Sequence, residues 1–206
     1  MRYGFADVED ALARFHTISD EKRSAFANRL KHLQRRGFPP GVNTGRGRAA
    51  DYAPHHVFLL AVALELNQLG AGPEAAIDLI NGSVGHIAQG VTDMMSPYPD
   101  QLGEAVVCRA PVSNLGSLYL ASVESLQCGP ARLTVDFLEQ ISRHAEGHFQ
   151  LSAFSLSALA IKLPELIRPN DREHREGFWE ELRKWAKPLA TPHMIDWAAE
   201  LDRGPR

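Results

Sequence analysis

The sequence predicts a mainly α fold with small β elements. Helices surround one glycine-rich hairpin in the N-terminal part, and a mixed α/β part follows. Three observations predict this. Apolar residues recur at steps of three and four from residue 8 to residue 80, the period of helices with one buried face. A Gly-Arg-Gly-Arg turn with short extended arms interrupts that period at 41–52. Beyond residue 103 the texture changes to runs that suit strands. With 206 residues and 44% apolar content, the chain is long enough to bury a core and too apolar to stay disordered.

Val8, Leu12 and Phe15 mark a first short amphipathic helix. Ser19 or Asp20 offers the N-cap of a second helix over 20–36, with Glu21 in its first turn. Phe26, Leu30 and Leu33, at i, i+4 and i+7, form its apolar stripe. Gly37 stops it and Pro39-Pro40 prevents its continuation. In the hairpin, Gly45 and Gly47 bracket Arg46 in a tight turn. Pro54 opens a third helix, whose apolar face includes Val57, Leu60, Ala61, Leu64 and Leu69, and Gly70 closes it. Pro73 starts a fourth, with Ala76, Ile77 and Ile80 inward and a kink or an end at Gly82 and Gly85.

Residues 91–103 contain Ser96, Pro97, Pro99, Asp100 and Gly103. They read as a linker between an N-terminal domain, 1–90, and a C-terminal domain, 104–206. In the second domain, 104–110 and 116–122 suit strands joined by a turn at Ser113-Asn114. Residues 132–145 and 154–167 fit either helix or strand. Residues 171–187 and 191–202 read as charged amphipathic helices carrying Trp179, Trp185 and Trp197. The three tryptophans suit core or dimer contacts.

Charge is unevenly distributed. The chain has 22 Lys+Arg against 25 Asp+Glu, a formal net charge of −3. Yet residues 22–48 hold Lys22, Arg23, Arg29, Lys31, Arg35, Arg36, Arg46 and Arg48, and no acid. A localised positive face is what a polyanion such as DNA requires of its partner. On the 20–36 helix, Arg29, Lys31, Arg35 and Arg36 lie off the apolar stripe, interleaved with Asn28, His32 and Gln34. Arginine reads guanine, and Asn or Gln pairs with adenine, so this front suits a major groove. Arg46 and Arg48 suit a wing that touches phosphates or a minor groove.

The order of helix, basic helix, Gly-rich wing and further helix pair resembles the winged helix-turn-helix of the MerR family. The resemblance rests on NRLKHLQRRGF (28–38), GRGRAADY (45–52) with its closing Tyr52, and PHHVFLLAVALELNQLGAGPEAAIDLI (54–80). It covers about residues 6–82. It implies an N-terminal winged helix-turn-helix that binds double-stranded DNA as a dimer. The chain departs from the family in the longer connection between its first two helices. It also has Leu30-Lys31-His32 where the family has an Arg-Tyr-Tyr triplet.

Catalytic signals are weak. There is no phosphate loop, nucleophile elbow or dinucleotide fingerprint. His144 and His148 have i, i+4 spacing without the acid in the order a zinc hydrolase needs. His55 and His56 are adjacent and point apart. Cys108 and Cys128 do not make a disulfide framework, and reduced buried thiols are expected. No apolar stretch approaches the roughly 20 residues of a membrane span. The start, MRYGFADVED, lacks a signal-peptide core. The expectation is a cytoplasmic, dimeric, sequence-specific transcriptional regulator that is not an enzyme and carries no cofactor or metal. Lys22, Arg23, Asn28, Arg29, Lys31, His32, Arg35, Arg36, Arg46 and Arg48 are its DNA-binding residues. A module that binds an acidic protein, or an architectural DNA-binding factor for recombination, are the alternatives.

Overall fold

A computed structural model describes residues 1–42, 49–94, 105–110, 126–131 and 152–190. Among these residues the chain forms seven α-helices: α1 (Phe5–Phe15), α2 (Arg23–Arg35), α3 (Pro54–Gln68), α4 (Pro73–Gly82), α5 (Val84–Met94), α6 (Leu156–Ile167) and α7 (Arg172–Ala186). Three strands accompany them: β1 (Val106–Ala110), β2 (Gln127–Pro130) and β3 (Ser152–Ser155). The expected mainly helical chain with small β elements is what folds. The tip of the expected hairpin, with Arg46 and Arg48, lies outside the described residues, as do 116–122, 132–145 and 191–202.

Three helices end by the same device. The residue past the helix takes a left-handed conformation, and the next N–H turns back to a carbonyl of the last turn. Thr17 (φ 51) does this for α1, with the Ile18 N–H donating to Ala13 at 2.9 Å. Gly37 (φ 77) does it for α2, with Phe38 N–H to Leu33 at 3.1 Å. Gly70 (φ 104) does it for α3, with Ala71 N–H to Leu66 at 2.9 Å. Pro54 and Pro73 occupy the first turns of α3 and α4, where their missing N–H costs nothing.

The core is organised around α3, which is buried on nearly every face from Val57 to Leu64. It packs on α4 and on both α6 and α7, while α1 packs on α6. One contiguous set of buried side chains therefore runs from Tyr3 to Ala186. Each large apolar side chain removed from water in it contributes roughly 1.5–3 kcal/mol before entropy is counted.

The strands form an antiparallel sheet in the order β2-β1-β3. Two buried serines join it to helices. Ser157 Oγ accepts from the Val106 N–H at 2.8 Å, and Ser83 Oγ accepts from the Leu126 N–H at 2.7 Å. The ambiguous stretch 154–167 divides at Ser155. Its hydroxyl accepts from the Ala158 N–H at 3.1 Å, so β3 ends and α6 begins there.

Helix α5 approaches the sheet closely through Gly90. A Cβ there would lie 2.8 Å from Cys128 Cβ and 2.9 Å from Leu156 Cδ2. Gly90 thus serves as a contact within a helix, and α5 runs four residues into the stretch read as linker. The expectation of reduced cysteines is corrected. Cys108 and Cys128 are directly paired in the β1–β2 register, with Cα atoms 4.1 Å apart, and are joined by a disulfide. A sequence separation of 20 residues conceals a juxtaposition that strand pairing creates.

Pro164 lies inside α6 and cannot donate to the Ala160 carbonyl one turn back. The indole Nε1–H of Trp179, from α7, donates to that oxygen at 2.9 Å instead. Among the described residues no helix is long and apolar enough to cross a membrane.

Candidate nucleic-acid interface

Helix α2 sits between two neighbours that use part of its charge. A 3-10 turn, Asp20–Lys22, leads into it, and Phe26, Leu30 and Leu33 bury its back. Arg23 is half-buried and reaches α1, with Nη2 2.9 Å from Asp10 and 3.1 Å from Glu9. The hydrogen bond from Arg23 lowers the Asp10 carboxyl below its usual range. At the other end, Arg36 Nη2 lies 2.5 Å from Glu74 Oε1 in the first turn of α4, and His32 Nε2 lies 3.7 Å from the same oxygen. Glu74 is held below the usual carboxylate range, first by its own backbone N–H and then by these cations.

Three of the expected DNA-binding residues on this helix therefore have protein partners: Arg23, His32 and Arg36. The others differ. Asn28, Arg29, Lys31 and Arg35 are exposed along α2, and Lys22 is exposed just before it. Lys22, Arg29, Lys31 and Arg35 have no acidic partner among the described residues; Lys31 Nζ lies 5.6 Å from the Phe5 ring centroid. Asn28, Lys31, Gln34 and Arg35 line a shallow groove of about 340 Å³. It combines cations with amides that both donate and accept, the groups that read base edges.

The base of the expected wing is anchored beside this groove. Tyr52 is buried and pairs antiparallel with Tyr3 through main-chain bonds of 2.9 and 3.0 Å. Its hydroxyl accepts from Gln34 Nε2, and burial pushes it up to about 12. The Tyr3 hydroxyl meets His174 Nε2 at 2.9 Å. Tyr52 is thereby tied to α2 and, through Tyr3, to α7. Glu74 and Tyr3 belong to this region without being expected from the sequence, and Gln34, expected on the front of the helix, also bonds Tyr52. Gln34 had a signal, being an amide among cations on one helix face; Glu74 and Tyr3 had none.

Three other described histidines, His56, His55 and His16, make contacts within the fold. His56 Nδ1 accepts from the Ala53 N–H at 3.0 Å and caps α3. His55 does not point away from His56 as expected, since their ring centroids lie 4.0 Å apart; it also stacks parallel on Trp185 at 5.5 Å, and burial, then His56, pushes it down to about 4. His16, at the end of α1, faces Gln68 at 2.6 Å and Glu65 at 3.8 Å, and burial pushes it down to about 4. Among the described residues no three His, Cys, Asp or Glu side chains gather as a cation site. His144 and His148 lie outside the described residues. Two larger clefts, of about 750 and 650 Å³, meet at Glu176 and Trp179 and share no residue with α2.

Comparison with known proteins finds no matching family model, no matching curated protein and no matching solved structure.

Proposed function

We propose that this chain is a sequence-specific DNA-binding regulator of transcription that acts as a homodimer. In this reading α1 and α2 form the helix-turn-helix, α2 enters the major groove, and hairpin 41–52 is the wing. One observation supports the reading above the others: the groove of Asn28, Lys31, Gln34 and Arg35, whose cations have no acidic partner among the described residues, beside Tyr52 at the base of the expected wing. The MerR-like order of elements supports it. Dimerisation follows from size, since one short helix reads too few bases for genomic specificity and two half-sites one DNA turn apart supply the rest.

Arg23 is then a structural residue that fixes α1 to α2, and Arg36 and His32 are held towards α4. Asn28, Lys31 and Arg35 are the base- and phosphate-contacting residues, with Lys22 and Arg29 at the flanks and Arg46 and Arg48 on the wing.

The test is duplex DNA binding across salt, first to a random pool and then to the sequence enriched from it. Lys31→Ala with Arg35→Ala is expected to flatten the log–log salt slope by up to about two units and to lower affinity at least about tenfold. An unchanged slope refutes the assignment. A salt-sensitive complex with an acidic protein and no binding to duplex DNA would favour the adaptor reading instead.

A further inference from the structure

We propose that Cys108 and Cys128 form a reversible dithiol–disulfide couple whose state is transmitted to helix α5. The proposal stands whether or not the chain binds DNA. The two residues face each other in register, within a ladder that pairs Val106 with Pro130 and Arg109 with Gln127. Opening the sulfur–sulfur bond therefore leaves main-chain pairing to hold the strands together. A bond that joins two strands already paired can break without unfolding the sheet.

The two sulfurs are placed differently. Cys108 is fully buried in the central strand, between β2 and β3. Cys128 is nearly as buried, at 5% exposure, but it rides on β2, a four-residue strand that is outermost among the described residues and ends at Pro130. Short edge strands open locally at a lower free-energy cost than central ones. Attack by an external thiol is therefore directed to Cys128.

Helix α5 is positioned to respond. Gly90 approaches so closely that an added Cβ would stand 2.8 Å from Cys128 Cβ and 3.2 Å from Val106 Cγ1. Bonded sulfurs lie about 2.05 Å apart. Two thiols must separate to non-bonded contact, roughly 3.5–4.0 Å. Because Gly90 packs directly on the Cys128 Cβ, the added displacement of more than about 1 Å bears on α5. Reduction thus shifts α5 or loosens β2 against it.

The chemistry balances with a low-molecular-weight dithiol as co-reactant. Its thiolate attacks Cys128 Sγ, and the bonding pair leaves on Cys108 Sγ, which takes a proton. Its second thiolate then attacks the mixed disulfide, releases Cys128 as a thiol, and closes the oxidised reductant. In a thiol-rich compartment such a pair follows the ambient poise.

The experiment titrates the full chain at neutral pH, under native conditions, with mixtures of reduced and oxidised dithiothreitol. Alkylation of each cysteine is resolved by mass, and amide exchange is followed in the same samples. Both cysteines are expected to react while far-ultraviolet circular dichroism is retained, and to re-oxidise when the ratio is reversed. A limiting monothiol should be trapped on Cys128. Exchange across 84–94 should accelerate by about tenfold on reduction. Cys128→Ser should show the fast exchange without any reductant. If that variant does not fold, the wild-type titration decides alone. Reduction only on global unfolding would overturn the proposal, leaving the disulfide a static staple. So would reduction that leaves 84–94 unchanged.

Discussion

Replacing Trp179 by phenylalanine probes a hydrogen bond that a proline inside a helix makes necessary. Pro164 has no N–H for the Ala160 carbonyl, and the Trp179 indole fills that vacancy at 2.9 Å. Phenylalanine keeps much of the ring and removes the donor. Ala160 is fully buried, so its carbonyl loses the indole without gaining water. An unsatisfied buried acceptor costs about 1–3 kcal/mol, and the lost ring surface adds up to about 1 kcal/mol. The decisive comparison is a double-mutant cycle with Pro164→Ala. Alanine restores an N–H one turn on, so Trp179→Phe in that background should cost only the lost surface. A coupling of about 1–2 kcal/mol is expected. Urea unfolding of the four proteins, followed by far-ultraviolet circular dichroism, measures it. Additivity within about 0.5 kcal/mol would refute the reasoning.

Gly90→Ala should destabilise the fold by about 1–3 kcal/mol through overpacking against Cys128 and Leu156, although alanine is intrinsically the better helix former; a raised melting temperature would contradict the close approach. Stability should fall as pH drops from about 6.5 towards 4, because His16 and His55 stay neutral in the fold down to about 4 while the unfolded chain takes up their protons near 6.5. His16 supplies up to about 3 kcal/mol of this and half-buried His55 less, while Glu65, raised by burial, acts in the opposite sense; His16→Gln should flatten a plot of urea midpoint against pH. On the DNA-binding reading, Glu74→Gln releases Arg36 and His32, so affinity for random duplex at low salt should rise and the salt slope should steepen by about one unit. An unchanged slope would show that neither side chain can reach the polyanion.

What was legible in the sequence was local. Gly37, Gly70, Pro54 and Pro73 act on their own few residues through backbone geometry, and the end of α2, both ends of α3 and the start of α4 fall where these residues place them, whereas α2 starts at Arg23 after a 3-10 turn and not at Ser19 or Asp20. The apolar stripe of Phe26, Leu30 and Leu33 is likewise a property of one helix. Strand β2 was not legible: Gln-Cys-Gly-Pro has no alternation and contains both residues that strands avoid. It is a strand because β1 lies beside it. The same applies to the disulfide, which depends on register across that pairing. Gly90 carries no local signal of its role, because the sequence does not show that a sheet presses on it. The fates of Arg23 and Arg36 depend on Glu9, Asp10 and Glu74, which belong to other helices. A count of cations along one segment does not reveal which of them already have carboxylates.

That distribution matters for how the proposed regulator would discriminate among sequences. Non-specific affinity grows with each cation that meets a phosphate, whereas specificity requires a helix held in one register over the base edges. A helix held only by Phe26, Leu30 and Leu33 can roll on its stripe. Arg23 ties its first turn to α1, and Arg36, with His32, is held towards α4 at the other end. Two attachments on different neighbours oppose that roll. Gln34 adds a third through Tyr52. Asn28, Lys31 and Arg35 would then meet the same edge of each base pair on every encounter. On the DNA-binding reading the paired cations would contribute to specificity by not contacting DNA, so Arg23→Ala should lower the ratio of specific to random affinity while leaving the salt slope on random duplex unchanged. A lower slope with an unchanged ratio would instead make Arg23 a phosphate contact.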